Sequence, residues 1–480
     1  MTELALEYAS KNQAQSMAEL IEKMLGNYAV RKLLGFCTKR CKKCGSRIDI
    51  SLKGYVNSNN AKLCYKCRVA SFIIKNIFDY ILSKIDIPRI EVEKNLMDPM
   101  WRKGLASVLE GIAEYGPRKP FTAYSPFLIV WNVTKVCNLR CKHCYEVGGK
   151  PLPDELTTKE ALKAVDKMGK AGVAYIALSG GEPLMRKDFF EIVERIRKNE
   201  IAFSIATNGT LLTKETVKKL EDLGCLYIQI SLDGAKPETH NRFRGANSFE
   251  KTIKGIKNAV GSNITVGIAT TVTKLNYNEV LEIIDLTEKL GADIFMYYNF
   301  IPTGRGKDIA NLDLSPDERE KILKYMASQI GKRKINLLTT APQYGRICSS
   351  FSKFSLTHFD TFGQNDLGKS VEFLSEFVGG CGTGRLYFAL DYNGDIFPCV
   401  FMPIKLGNIR KDDLLDVWRN SPILNKFRDR SIFSEFCNEC KYSNVCGGCR
   451  ARAYSYFGDV TKCDPGCIFN NKEWLKIVSK

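Results

Sequence analysis

Between residues 127 and 300 the chain alternates between two hydrophobic periods. Short apolar runs, each the length of a buried strand, fall at 127–134, 173–179, 201–207, 225–232, 264–272 and 292–299. Each of the first five is followed by a stretch whose apolar positions recur at helical spacing, and the unit repeats at roughly thirty residues. The first of these helices opens on Thr157-x-x-Glu160, a capping box, and a later one on Ser315-x-x-Glu318. Strand–helix alternation with short links predicts parallel βαβ units. Six of them suit an α/β fold, a partial (β/α)6 TIM-like barrel, whose chemistry collects at the C-terminal ends of the strands.

The flanks read differently. Residues 1–30 suggest a helix, with Leu4, Met17, Leu20, Ile21, Met24 and Leu25 partly in register. The run 48–60 (IDISLKGYVNSNN) reads as a hairpin. Segment 71–85 (SFIIKNIFDYILSKI) is apolar at helical spacing, and packing against a neighbour is the commoner explanation than a lipid-facing helix. Pro88, Pro99, Pro117, Pro120 and Pro126 read as breaking regular structure ahead of the first core strand. We therefore expect an N-terminal domain over 1–120, the barrel over 121–345, a connecting segment over 346–378 that closes over the barrel mouth, and a cysteine-rich domain over 379–480.

At 480 residues, 44% hydrophobic and 26% charged, the chain has ample core for a globular protein of about three domains. Its apolar runs fall far short of the roughly 18 residues that cross a bilayer. Its start, MTELALEYASKNQ, has neither the basic nor the apolar part of a signal peptide, so a cytoplasmic location, with peripheral membrane contact as an option, is expected. Eighteen cysteines in such a chain argue for metal sites over disulfides, and three histidines leave few imidazole ligands. Net charge is +18, and residues 31–68 hold eleven Lys or Arg against one acid, Asp49. That patch suits nucleic acid, an anionic membrane surface or an acidic substrate, or is a solvated lysine-rich surface.

The cysteines fall into three groups. Cys41-x2-Cys44 and Cys64-x2-Cys67, nineteen residues apart, can converge on one metal, the zinc-ribbon or rubredoxin-like arrangement, with zinc favoured over mononuclear iron. Cys137, Cys141 and Cys144 follow the first barrel strand at C-x3-C-x2-C, which can hold three irons of a [4Fe–4S] cube and leave the fourth open. Cys37, Cys41 and Cys44 share that spacing, but no strand precedes them and no matching segment follows. The last group is Cys381, Cys399, Cys437, Cys440, Cys446, Cys449, Cys463 and Cys467.

Cys137, Cys141 and Cys144, joined with Gly180-Gly181-Glu182-Pro183 at the end of the second strand, resemble the radical S-adenosylmethionine (radical SAM) superfamily. The series Cys381-x12-Gly394-x4-Cys399 followed by C-x2-C-x5-C-x2-C and a late cysteine resembles its SPASM extension. The resemblance covers about 124–480. It implies that Cys137, Cys141 and Cys144 ligate the catalytic cluster, that SAM fills the open iron, and that one or two auxiliary [4Fe–4S] clusters lie in the C-terminal domain. It assigns Gly180, Gly181, Glu182, Pro183 and the neighbouring Tyr145 to SAM. Thr207, Asn208 and Ser231 become contacts for ribose and methionine, and Arg244 a partner for the SAM carboxylate. Asn208-Gly209 as a plain turn, and Ser231-Leu-Asp233 as a helix start, stay open.

By the same resemblance Cys381, Cys399 and Cys449 belong to a nearer cluster, and Cys437, Cys440, Cys446 and Cys467 to a farther one. The nearer cluster then lacks a fourth ligand, for which Cys348, Cys463 or an open iron stand as candidates. Cys446-Gly-Gly-Cys449 is one residue shorter than the commoner pattern, which leaves Cys449 in question. Cys225 reads as a small buried hydrophobe. Segments 380–403 and 437–459 resemble the haem-biosynthetic branch, which implies propionate side chains of a tetrapyrrole as substrate and Arg385, Arg450 and Arg452 as its partners or as counter-charges to clusters. An isoprenoid lipid chain and a peptide side chain are the alternative substrates, and a ferredoxin or flavodoxin is the implied reductant. A zinc-rich, basic nucleic-acid-binding protein is the non-enzymatic alternative. It explains the charge, but not the GGEP segment or the βα repeats.

Overall fold

The computed structural model describes residues 26–56, 63–85, 89–351 and 378–479. The expected helix within 1–30 and most of the segment 346–378 lie outside the described residues.

The N-terminal region is helical: α1 (Tyr28–Thr38), α2 (Arg47–Val56), α3 (Tyr65–Ile85), α4 (Arg89–Met97) and α5 (Pro99–Tyr115). Two two-residue strands, β1 (Arg40–Cys41) and β2 (Gly45–Ser46), pair antiparallel around the first cysteine knuckle. The hairpin expected from residue 48 is instead α2. Ile48, Ser51, Leu52 and Tyr55 are its buried positions, which is helical spacing, and the Ser46 hydroxyl caps it by accepting from the Asp49 N–H at 3.3 Å. Of the prolines expected to break structure, Pro117, Pro120 and Pro126 do lie in the irregular stretch between α5 and β3, Pro88 lies outside the described residues, and Pro99 departs from the expectation. Pro99 is the first residue of α5, where its missing N–H costs nothing, and the Asp98 carboxylate caps that turn through the Met100 N–H. Helix α3 packs as expected, burying Ala70 and Ile74 against Leu34, Ile48, Leu52 and Leu96.

All six expected barrel strands form and are parallel: β3 (Leu128–Asn132), β4 (Tyr175–Ser179), β5 (Ala202–Thr207), β6 (Tyr227–Ser231), β7 (Thr265–Val272) and β8 (Ile294–Asn299). Helices α6 (Thr158–Ala171), α7 (Phe189–Lys198), α8 (Lys214–Asp222), α9 (Pro237–Arg244), α10 (Ser248–Val260) and α11 (Val280–Lys289) cross between them. Both capping boxes are made, the second starting α12 (Pro316–Gln329). The sheet runs further than expected. A seventh parallel strand, β9 (Asn336–Thr339), pairs with β8 ahead of α13 (Gln343–Ser350). On the far side β10 (Tyr387–Leu390) pairs parallel with β3, and β11 (Asp395–Phe397) and β12 (Gly407–Asn408) continue antiparallel. With β12 and β9 at its two edges the sheet is an open barrel. Helices α14 (Leu414–Asn420), α15 (Pro422–Arg428), α16 (Glu435–Glu439), α17 (Arg450–Phe457) and α18 (Asn471–Val478) complete the chain.

Because side chains alternate along a strand, each barrel strand has two destinations. Ile129, Trp131, Ile176, Leu178, Phe203 and Ile228 point outward and make the core with the helices. Their neighbours Val130, Ala177, Ser204, Ala206, Gln229 and Thr271 point inward. These inward residues are smaller and more polar, and the space they leave is a cavity.

Candidate active site

The cavity measures about 250 Å³ and extends to the C-terminal ends of the strands. Cys137, Cys141 and Cys144 line one part of it, and Cys381, Cys399 and Cys449 another. The triad sits on the loop after β3, which is held from three sides. Its own ends pair, Cys137 N–H to Gly149 O at 2.9 Å and Gly149 N–H to Lys135 O at 2.8 Å. The turn after β4 lies on it, with Gly181 N–H donating to Thr134 O at 2.8 Å and Glu182 N–H to Val136 O at 2.7 Å. Arg305, after β8, donates from Nε to Cys141 O at 2.9 Å and from Nη1 to Gly148 O at 3.2 Å. Gly304 is needed beside it, because its φ is +56° and a Cβ there would meet Tyr145 O at 2.4 Å. Arg305 was missed in the sequence; its signal was the IPTGRGKD run at the end of the last expected strand. Asn138 was missed as well. Its Oδ1 accepts from Asn208 Nδ2 at 2.8 Å, tying the triad loop to the end of β5.

Of the residues expected to touch SAM, Tyr145, Gly180 and Gly181 reach the cavity wall. Thr207, Asn208, Ser231 and Arg244 reach it from the next strands. Glu182 is fully buried behind that wall. Its carboxylate accepts from Thr207 Oγ1 and Asn208 N, both at 2.8 Å, and from Leu184 N at 3.2 Å, so it binds the β4 turn to the β5 turn. Burial pushes its pKa up to about 7, and these hydrogen bonds hold it from rising further. Pro183 begins the short 3-10 turn beside it. Arg244 is buried. Its Nε donates to Asp233 Oδ2 at 2.6 Å, its Nη1 to the Cys141 sulfur at 3.8 Å, and its Nη2 faces His143 Nε2 at 3.4 Å. Tyr145 lies edge-on to Phe401 and its hydroxyl donates to Asn132 Oδ1 at 3.2 Å.

The residues present suit a three-thiolate iron–sulfur cluster. Donors already face the sulfurs, the Leu139 N–H toward Cys137 at 3.4 Å and the Arg244 guanidinium toward Cys141. The three sulfurs are not drawn together as around one ion. Among the described residues the one group whose ligand atoms all lie within 4.8 Å of each other is Cys41, Cys44, Cys64 and Cys67. A cube whose thiolates bind separate irons needs the wider spacing.

The C-terminal cysteines divide in two. Cys381, Cys399 and Cys449 share the cavity with Tyr387, whose hydroxyl donates to the Cys399 sulfur at 3.6 Å. In the other group Cys463 and burial raise the pKa of Cys437, burial raises that of Cys467, and Cys446 lies close enough to both to add to the rise. Cys463 therefore stands beside the farther group of thiols. Cys348 lies in the apolar core with Tyr344 and Ile347, away from both groups. Cys225 is buried in the barrel core, as expected. Cys440 ends α16, half-buried.

Buried guanidinium nitrogens with no hydrogen-bond partner stand beside the farther group: Arg450 Nε and Nη2, Arg430 Nη1 and Arg346 Nε. Guanidinium nitrogens without acceptors are what an anionic cluster would complete. The other two arginines considered as substrate partners are engaged by the protein. Arg385 donates to the carbonyls of Phe121, Val378 and Cys381, and Arg452 is paired with Asp313 at 2.6 Å and bonded to the Asn299 and Phe300 oxygens.

Comparison with known proteins agrees with this geometry. The family model described as the radical SAM superfamily matches residues 131–287, and that described as the SPASM iron–sulfur cluster-binding domain matches 381–450. The chain is 37% identical over 350 residues to the AdoMet-dependent heme synthase of Methanosarcina barkeri, covering 97% of that protein and 72% of this chain. It is 32% identical to the enzyme of the same name from Nitratidesulfovibrio vulgaris, covering 92% of it and 71% of this chain. In fold it is similar to Streptococcus suis SuiB bound to S-adenosylmethionine, with a TM-score of 0.60 at 18% identity over 88% of this chain and 93% of that one. The chain belongs to the radical SAM superfamily and carries its SPASM iron–sulfur domain.

Proposed function

We propose that this enzyme uses SAM to remove hydrogen from a propionate side chain of a tetrapyrrole, in a haem-forming oxidation. The cluster and SAM supply, when bound, one-electron cleavage to methionine and a 5′-deoxyadenosyl radical; the protein's part is to hold and shield them. The observation that carries the reading is the single cavity walled by Cys137, Cys141 and Cys144 on one side and by Cys381, Cys399 and Cys449 on the other. A substrate there lies between the radical source and an electron acceptor. Converting a propionate to a vinyl group removes one hydrogen atom, one further electron and carbon dioxide, so such an arrangement serves it. The relatedness to the two heme synthases supports the choice of substrate.

In this reading the carbonyl oxygens of Gly180 and Gly181 receive the SAM ammonium, because the N–H groups of Gly181 and Glu182 are spent on the triad loop. Thr207, Asn208 and Ser231 contact ribose and methionine. Arg244 is a positioning residue for the cluster, since its nitrogens are taken by Asp233, Cys141 and His143. The electron donor is of the ferredoxin or flavodoxin kind.

The test is anaerobic incubation of the reconstituted enzyme with SAM, dithionite and a propionate-bearing iron tetrapyrrole, read by mass spectrometry. The expected product has lost carbon dioxide and two hydrogens per converted side chain. 5′-Deoxyadenosine formed without any change in the tetrapyrrole would refute the substrate assignment.

A further inference from the structure

The two heme synthases cover about 72% of this chain, and the N-terminal helices have a chemistry of their own. The sulfurs of Cys41, Cys44, Cys64 and Cys67 all lie within 4.8 Å of one another, and Cys41 and Cys64 stand 3.7 Å apart. A tetrahedral ion with metal–sulfur bonds of about 2.3 Å requires sulfur–sulfur edges of about 3.8 Å. These four thiols therefore have the span of one ion, which a cube does not.

The site stands at the opposite end of the barrel from the Cys137, Cys141 and Cys144 loop. Arg40, next to Cys41, donates to Lys170 O at 2.8 Å, at the end of α6 and ahead of β4. Lys53 and Arg102 pair with Glu200, and Lys103 donates to Asn199 O at 2.8 Å, both ahead of β5. Met100 and Trp101 of α5 pack against Phe127, Ala174, Tyr175 and Ala202, where β3, β4 and β5 begin. The helices thus close the N-terminal mouth of the barrel. A strand of five residues at about 3.3 Å each places that mouth about 17 Å or more from the triad loop. Position favours a structural ion over a redox one.

The bundle also needs such a staple. Among the described residues its buried core is Leu34, Cys37, Ile48, Leu52, Tyr55, Ala70, Ile74, Leu96 and Ala106, a small set for its length. One ion would join β1 and the knuckle to the first turn of α3, closing the chain across nineteen residues. The exposed Lys39, Arg40, Lys42, Lys43, Lys66 and Arg68 around it would offset the negative charge of four thiolates.

We propose that Cys41, Cys44, Cys64 and Cys67 bind one zinc ion that staples the helical bundle closing the N-terminal end of the barrel. The test compares the cluster-loaded wild type with the Cys41→Ser/Cys64→Ser variant, by elemental analysis and hydrogen exchange. The wild type is expected to carry one zinc per chain, and the variant none with its iron retained. Amides of α2, α3 and α5 should exchange on the order of 100-fold faster in the variant, while β4 and β5 keep their protection. Stripping zinc from the wild type with a zinc-selective chelator should reproduce that pattern, which keeps the test sound if the variant does not fold. Iron in place of zinc at these four cysteines, or zinc loss from either sample with unchanged exchange, would overturn the proposal.

Discussion

Replacing Gly181 by alanine tests how the GGEP turn holds the triad loop. The new Cβ would lie 2.3 Å from Val136 O, 2.6 Å from Lys135 O and 2.7 Å from the Val136 carbonyl carbon. All three are backbone atoms of the loop that carries Cys137, so no side chain can rotate aside. Bringing the closest contact to 3.0 Å opens the interface by about 0.7 Å. That movement falls on the Gly181–Thr134 and Glu182–Val136 hydrogen bonds, and weakening both costs about 2–3 kcal/mol. A misplacement approaching 1 Å at a reacting centre costs about 100-fold in rate. The assay is anaerobic: iron content, SAM affinity and the rate of 5′-deoxyadenosine formation. We expect iron near the wild-type level, with SAM binding and cleavage together reduced about 100-fold. Gly149→Ala is the control from the same loop, since a Cβ there meets nothing within 4 Å, and it should be near neutral. Wild-type SAM cleavage, within twofold, by Gly181→Ala would refute the reasoning.

Three further outcomes follow from the structure. Glu110 is buried against the N-terminal bundle, and desolvation raises its pKa from 4.5 to about 7 against the pull of Arg40 and the Ser46 hydrogen bond. The native state then keeps a proton that the unfolded chain releases, so stability falls as pH climbs from about 4.5 to about 7 and is level above. Glu110→Gln should remove this slope and protect α5 by up to about 3 kcal/mol at pH 8, read by hydrogen exchange, with little effect at pH 4.5. Arg450→Gln removes a buried guanidinium beside the farther cysteines and should lower that cluster's potential by on the order of 50–100 mV in redox titration, leaving iron content unchanged. Arg452→Leu breaks a fully buried pair with Asp313, whose charge keeps Arg319 and the Tyr456 hydroxyl, and should cost about 3 kcal/mol in denaturant unfolding.

The barrel was legible because its signals are local. Six apolar runs bounded by turns, and two capping boxes, are properties of neighbouring residues, and all took the form expected. What was missed depends on distant partners. Asn336–Thr339 and Tyr387–Leu390 are four-residue runs too short to declare a strand, and they become strands by pairing with β8 and β3. Helix α2 carried a helical period at Ile48, Ser51, Leu52 and Tyr55, but Gly54 within it and the asparagines after it read as a hairpin. In the site, the cysteine spacings located the thiols, yet nothing in spacing showed that Cys463 joins Cys437 or that Arg305 clamps the triad loop. Likewise Arg385 and Arg452 had the right chemistry to hold a carboxylate, and the fold spends them on carbonyls and on Asp313.

We propose that Cys137, Cys141 and Cys144 form the centre that cleaves SAM within this cavity. Its most direct test is 5′-deoxyadenosine production by anaerobically reconstituted enzyme with SAM and dithionite, run beside the Cys137→Ala/Cys141→Ala/Cys144→Ala variant. 5′-Deoxyadenosine is expected from the wild type and none above background from the variant, which should keep the iron of its C-terminal cysteines. Equal production by both proteins, or a fully iron-loaded wild type that neither binds nor cleaves SAM, would contradict it.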